Sequence, residues 1–135
     1  MKKAILVLFC IAISVVGYGQ RFGTSASKDN TGRKLTCAYL TPTYASTLTV
    51  TPNASVTYVK PSSLTGAMTL NCATTNAQVC DEVTFIFYGT GSRTITFNTG
   101  IVASSSTLVC DSLQSCTWKG VFNGTAWVET SRAKE

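Results

Sequence analysis

Chemistry in this chain starts from its carboxylates, because the 135 residues include 0 histidines. Without imidazole, Ser-His-Asp, Cys-His and histidine-metal arrangements cannot be built within one subunit. The 6 acidic residues are Asp29, Asp81, Glu82, Asp111, Glu129 and Glu135. Glycoside hydrolysis needs two of them facing across a cleft, one kept protonated by its surroundings. Asp81 and Glu82 are adjacent and point to opposite faces if they open a strand. Glu82 with Glu129 is the other pairing to weigh, and it carries no cleft signature, so a glycosidase ranks last and solvated strand-end charge is the ordinary reading. Ser25-Ala26-Ser27-Lys28 matches the S-x-x-K pattern of penicillin-recognising enzymes, but the S-D-N and K-T-G partners are missing. The expectation is a protein that is not an enzyme and takes no cofactor.

Sulfur is the second reactive element. Of 6 cysteines, Cys10 lies inside an apolar N-terminal stretch, leaving Cys37, Cys72, Cys80, Cys110 and Cys116. No Cys-x-x-Cys spacing suggests a metal. In an oxidising compartment the close spacings favour Cys72 with Cys80 and Cys110 with Cys116, which leaves Cys37 as a free or intermolecular thiol. The aromatic residues offer a different chemistry: Trp118, Trp127, Tyr39, Tyr44, Tyr58 and Tyr88 could supply flat faces that stack on sugar rings or a protein partner, with Trp118, Trp127, Tyr58 and Tyr88 the candidates for the platform. Core packing is the competing reading, and Phe122 with Trp127 reads as a cross-strand pair.

Export follows from the first residues. Lys2 and Lys3 precede an apolar run from Ala4 to Val16, and Gly17 and Gly19 give a small-residue exit. That is the layout of a signal peptide over residues 1–19. About thirteen apolar residues fall short of the roughly twenty a bilayer crossing needs. Residues 20–34, polar and carrying Lys28, Arg33 and Lys34, read as a leader, and residues 35–135 as one domain. Removing Lys2 and Lys3 lowers the formal charge of +5 to about +3. With no basic stripe, nucleic acid is not an expected partner, and no membrane attachment is expected after cleavage.

The elements that must position these groups are strands. Only 13% of residues are charged, and Val, Ile, Phe, Tyr and Thr recur in short alternating runs of the kind that suits a pleated surface. Val83–Tyr88 reads as a strand buried on both faces. Arg93–Asn98 reads as its hairpin partner, with Ile95 and Phe97 inward, joined through Gly89-Thr90-Gly91-Ser92. Asn123-Gly124 predicts a second hairpin with a type I′ turn. Runs beginning at Ser46, Ser55 and Ala67, separated by proline-marked turns, add three strands, and Asn76–Cys80 and Asp111–Ser115 read as single turns. About seven to nine short strands predict an all-β fold, an antiparallel β-sandwich or small barrel.

Four stretches carry a resemblance: L-T-G-A-M-T-L-N from Leu64, D-E-V-T-F-I-F from Asp81, R-T-I-T-F-N-T-G from Arg93 and F-N-G-T-A-W-V-E-T-S-R from Phe122. Over roughly residues 41–132 the chain is similar to β-rich modules of bacteriophage virion-associated structural proteins. The resemblance implies a structural or attachment role on a particle surface, often as an oligomer, in an exported version to which cysteines have been added. The expected function is therefore a secreted, extracellular or cell-surface structural or adhesive protein that self-associates or holds a surface protein or glycan. A small extracellular carbohydrate-binding domain is the alternative.

Overall fold

The computed structural model describes residues 36–135, and the expected signal segment, polar leader, Cys10, Asp29 and the Ser25–Lys28 match lie outside the described residues. Ten strands follow one another without an intervening helix among the described residues: β1 (Cys37–Leu40), β2 (Thr47–Val50), β3 (Val56–Val59), β4 (Met68–Cys72), β5 (Glu82–Tyr88), β6 (Arg93–Phe97), β7 (Ile101–Val102), β8 (Thr107–Cys110), β9 (Ser115–Phe122) and β10 (Trp127–Lys134). They form two sheets, ordered β1-β3-β5-β9-β10-β7 and β2-β4-β6-β8.

The pairing corrects the expected antiparallel sandwich or small barrel. β1, β3 and β5 stack parallel, as do β2, β4 and β6, so the chain alternates between the sheets and climbs about three turns of a β-solenoid. Parallel neighbours require a crossover of a dozen or more residues, and here each crossover is a strand of the opposite sheet. After β6 the chain reverses. β8 runs antiparallel to β6, β9 antiparallel to β5, and β10 antiparallel to β9, while β7 lies parallel to β10 at the far edge. Consequently β5 and β6 are not a hairpin: they belong to different sheets, and Gly89–Ser92 is a corner of the coil.

Alternation of side chains explains the two-layer core. Val83, Phe85 and Phe87 of β5 are fully buried, whereas Glu82, Thr84, Ile86 and Tyr88 are half-exposed, so this strand buries one face and not both. Ile95 and Phe97 point inward from β6. Between the sheets these residues meet Leu48, Val50, Val59, Met68, Leu70, Leu108, Trp118, Phe122 and Trp127. Phe85 stacks on Phe87 with ring centroids 5.9 Å apart, and Trp118 lies 5.3 Å from Phe97. Such aromatic contacts add to the area each ring buries. Trp118 fits because its neighbour on the inner face, Gly120, has no side chain: a Cβ there would sit 2.4 Å from the indole ring. Gly100, at φ +79°, makes the tight turn into β7 with its backbone against the Cys72 carbonyl.

Turn chemistry departs from the expectation at Asn123. Phe122 and Trp127 do face one another, with ring centroids 5.2 Å apart, but the loop between them has four residues and only Gly124 has a positive φ. Asn123 instead accepts hydrogen bonds from the Thr125 and Ala126 amides through Oδ1, both at 2.9 Å. This is a side-chain-nucleated Asx turn in place of type I′.

Candidate functional site

The six-stranded sheet has more strands than its four-stranded partner, and its outer face carries the candidate residues Tyr58 and Tyr88. Register fixes its rows. Tyr39 lies beside Tyr58, Tyr58 beside Thr84, Thr84 beside Lys119, and Lys119 beside Ser131, crossing β1, β3, β5, β9 and β10. All point away from the core because their strand neighbours point into it. Tyr39 is 59% exposed and Tyr58 39%, so two phenol rings stand side by side at the β1 end of the row. At its middle, Lys119 pairs with Glu82 at 2.7 Å, and that carboxylate raises the lysine pKa through the hydrogen bond first and its charge second.

Tyr88 occupies the same face four residues further along β5, roughly 13 Å from the Thr84 row at the usual strand rise. It borders a hollow of about 470 Å³ lined also by Lys60, Pro61, Ser62, Ser63, Ile86 and Ser115. Hydroxyls, one ammonium and one aromatic ring line this hollow, a set suited to a polar ligand with an apolar face.

The other aromatic candidates are elsewhere. Trp118 and Trp127 are fully buried, and their indole N–H groups donate internally, to Glu129 Oε2 at 3.1 Å and to the Ala73 carbonyl at 3.0 Å. Tyr58 and Tyr88 therefore share a face that neither tryptophan reaches. Tyr39 is among the aromatics the sequence offers for such a face, but Cys37–Leu40 is too short and too mixed to read as a strand. Only its in-register pairing with β3 places that ring on the face.

Searches against protein-family models and curated proteins find no match to this chain.

The carboxylate pair weighed for acid–base work does not assemble. Glu82 points outward to Lys119, whereas Glu129 turns inward beside Trp118. A β-bulge causes the inward turn of the cluster. The register with β9 slips between Glu129 and Ser131, so Glu129 and Arg132, three residues apart, both face inward instead of lying on opposite sides. Arg132 holds both oxygens of Glu129, its guanidinium lies 5.6 Å above the Phe97 ring, and Ser104 donates through its amide at 2.9 Å and its hydroxyl at 3.0 Å. The Arg132 hydrogen bonds, opposed by burial and reinforced by Ser104 and Trp118, lower the Glu129 pKa to about 2. This carboxylate is a tie between sheet and loop, held as the anion.

All five described cysteines are free thiols, so neither expected bridge is formed in this structure. Cys72, Cys110 and Cys116 are buried, Cys37 and Cys80 exposed. Among the described residues no group of three or more His, Cys, Asp or Glu side chains could hold a metal ion, and no helix is long and apolar enough to cross a membrane.

Proposed function

We propose that this chain is an exported structural or adhesive module, working by presenting the outer face of its six-stranded sheet rather than by covalent chemistry. The observation that carries the reading is the Tyr39-Tyr58-Thr84-Lys119-Ser131 row, exposed on a sheet whose opposite face is locked into an aromatic core. Tyrosines in such a row give large, rigid, amphipathic contact at low entropic cost, and a solenoid holds them in fixed spacing. The resemblance to phage virion β-modules points the same way, toward attachment or self-association at a particle or cell surface.

A Tyr39→Ala/Tyr58→Ala double variant tests this. Both rings are partly exposed, so the variant is expected to keep the wild-type circular dichroism and to lose at least about tenfold in adhesion or self-association, the loss expected when central aromatic contacts are removed. Unchanged surface adhesion and unchanged oligomeric state by light scattering would remove the reading. The hollow beside Tyr88 favours the second reading, a glycan-binding domain: glycan-array binding abolished by Tyr88→Ala, and indifferent to Tyr39→Ala/Tyr58→Ala, would replace the first with it.

A further inference from the structure

Spacing along the chain suggests two cysteine pairs, and the fold treats them differently. Cys72 ends β4 on the inner face and lines the core, while Cys80 is exposed in the turn before β5 at φ +73°. Burial alone acts on the Cys72 thiol, pushing it up to about 12. Cys110 and Cys116 instead flank the short turn from β8 to β9, and both are fully buried on the inner faces of their sheets. Their sulfurs interlock with each other's surroundings. Cys110 Sγ lies 3.4 Å from the Gln114 carbonyl and 3.9 Å from that of Phe87, the residue opposite Cys116 across β5 and β9. Cys116 Sγ lies 3.7 Å from the carbonyl of Val109, the residue before Cys110.

We propose that Cys110 and Cys116 form an oxidisable dithiol whose closure to a disulfide clips the four-stranded sheet to the six-stranded sheet, leaving Cys37, Cys72 and Cys80 as thiols. The oxidant is a low-molecular-weight disulfide such as oxidised glutathione. One cysteine, as the thiolate, attacks a glutathione sulfur and expels one glutathione thiol; the second thiolate then attacks the mixed disulfide and expels the other. Two thiol protons and two electrons leave the protein, one S–S bond forms, and one is broken in the oxidant.

Burial, and after it the adjacent Cys116 thiol, pushes the Cys110 thiol up to about 12, so little thiolate exists while the turn is closed. The reaction therefore proceeds during folding or when the exposed Asp111–Gln114 turn opens, and an oxidising compartment would complete it.

Sequence makes the test direct. Because Lys60 precedes Pro61, trypsin leaves Leu35–Arg93 as one peptide holding Cys37, Cys72 and Cys80, and Thr94–Lys119 as another holding Cys110 and Cys116. Full-length protein refolded in a glutathione redox buffer is alkylated under denaturing, non-reducing conditions, digested and weighed. The expected result is Thr94–Lys119 without alkyl groups and lighter by two hydrogens than its reduced form, alongside Leu35–Arg93 carrying three alkyl groups. Two alkyl groups on Thr94–Lys119, a bridge within Leu35–Arg93, or a link between the two peptides would each overturn the proposal. The experiment needs no variant and reads nothing from surface binding, so its outcome is independent of the presentation role.

Discussion

At the scale of single residues, the most heavily committed side chain is Glu129. Its anion takes hydrogen bonds from Arg132, Ser104 and Trp118, and its pKa falls from 4.5 to about 2. The folded-state pKa lies below the unfolded value, so the stabilisation is complete above about pH 4.5 and is lost as pH falls toward 2. Discounted for the solvent that still reaches the partly exposed Arg132, the contribution is about 1–2 kcal/mol. Urea unfolding between pH 2 and 6 is expected to show that acid loss in wild type and a flatter profile in Glu129→Gln. An identical acid limb in both proteins would mean that the cluster is held by packing and not by charge. Nothing in the sequence advertised this cluster: Glu129 and Arg132 are three apart in a strand, a spacing that ordinarily separates side chains, and only the unpaired Thr130 brings them together.

At the scale of elements, alternation located most strands, including the inward Ile95 and Phe97, and failed on their partners. A strand that buries every second residue reads the same whether its neighbour runs parallel or antiparallel. Parallel stacking usually betrays itself as a repeat, but the coils here differ in length: residues meeting across them are 19, 22 and 28 apart in sequence. No fixed period survives such variation. Glycine-containing corners such as Gly89–Ser92 have hairpin composition while joining two different sheets. The β9–β10 loop is the local element whose chemistry can be tested alone. Asn123 Oδ1 fixes the Thr125 and Ala126 amides, so Asn123→Ala is expected to cost about 1 kcal/mol in denaturant midpoint while keeping the strand pairing. Asn123→Asp, which preserves the acceptor, is expected to recover most of it; an Asp variant no better than Ala would show that the amides are satisfied by solvent.

At the scale of the whole molecule, protection should follow position in the sheets rather than order in the chain. β5 and β9 lie at the centre of the six-stranded sheet and carry Phe85, Phe87 and Trp118 into the core. β1 and β7 are its edges; β1 pairs with β3 alone, and β7 is two residues long and pairs with β10 alone. Edge strands lack a second hydrogen-bonding neighbour and bury less apolar surface, so they open by local fluctuations that the centre does not share. Native-state hydrogen exchange is therefore expected to rank the bonded amides of β5 and β9 slowest and those of β1 and β7 at least about 100-fold faster. The antiparallel reversal matters here, because it pairs a strand late in the chain with an early one: β9 lies against β5, so the centre of the sheet joins the parallel coils to the reversed segment. If the solenoid instead opened coil by coil from its first turn, protection would rise steadily from β1 through β6, with β3 distinct from β5. Uniform protection from β1 to β10 would contradict both patterns and mark the two sheets and the reversal as a single cooperative unit.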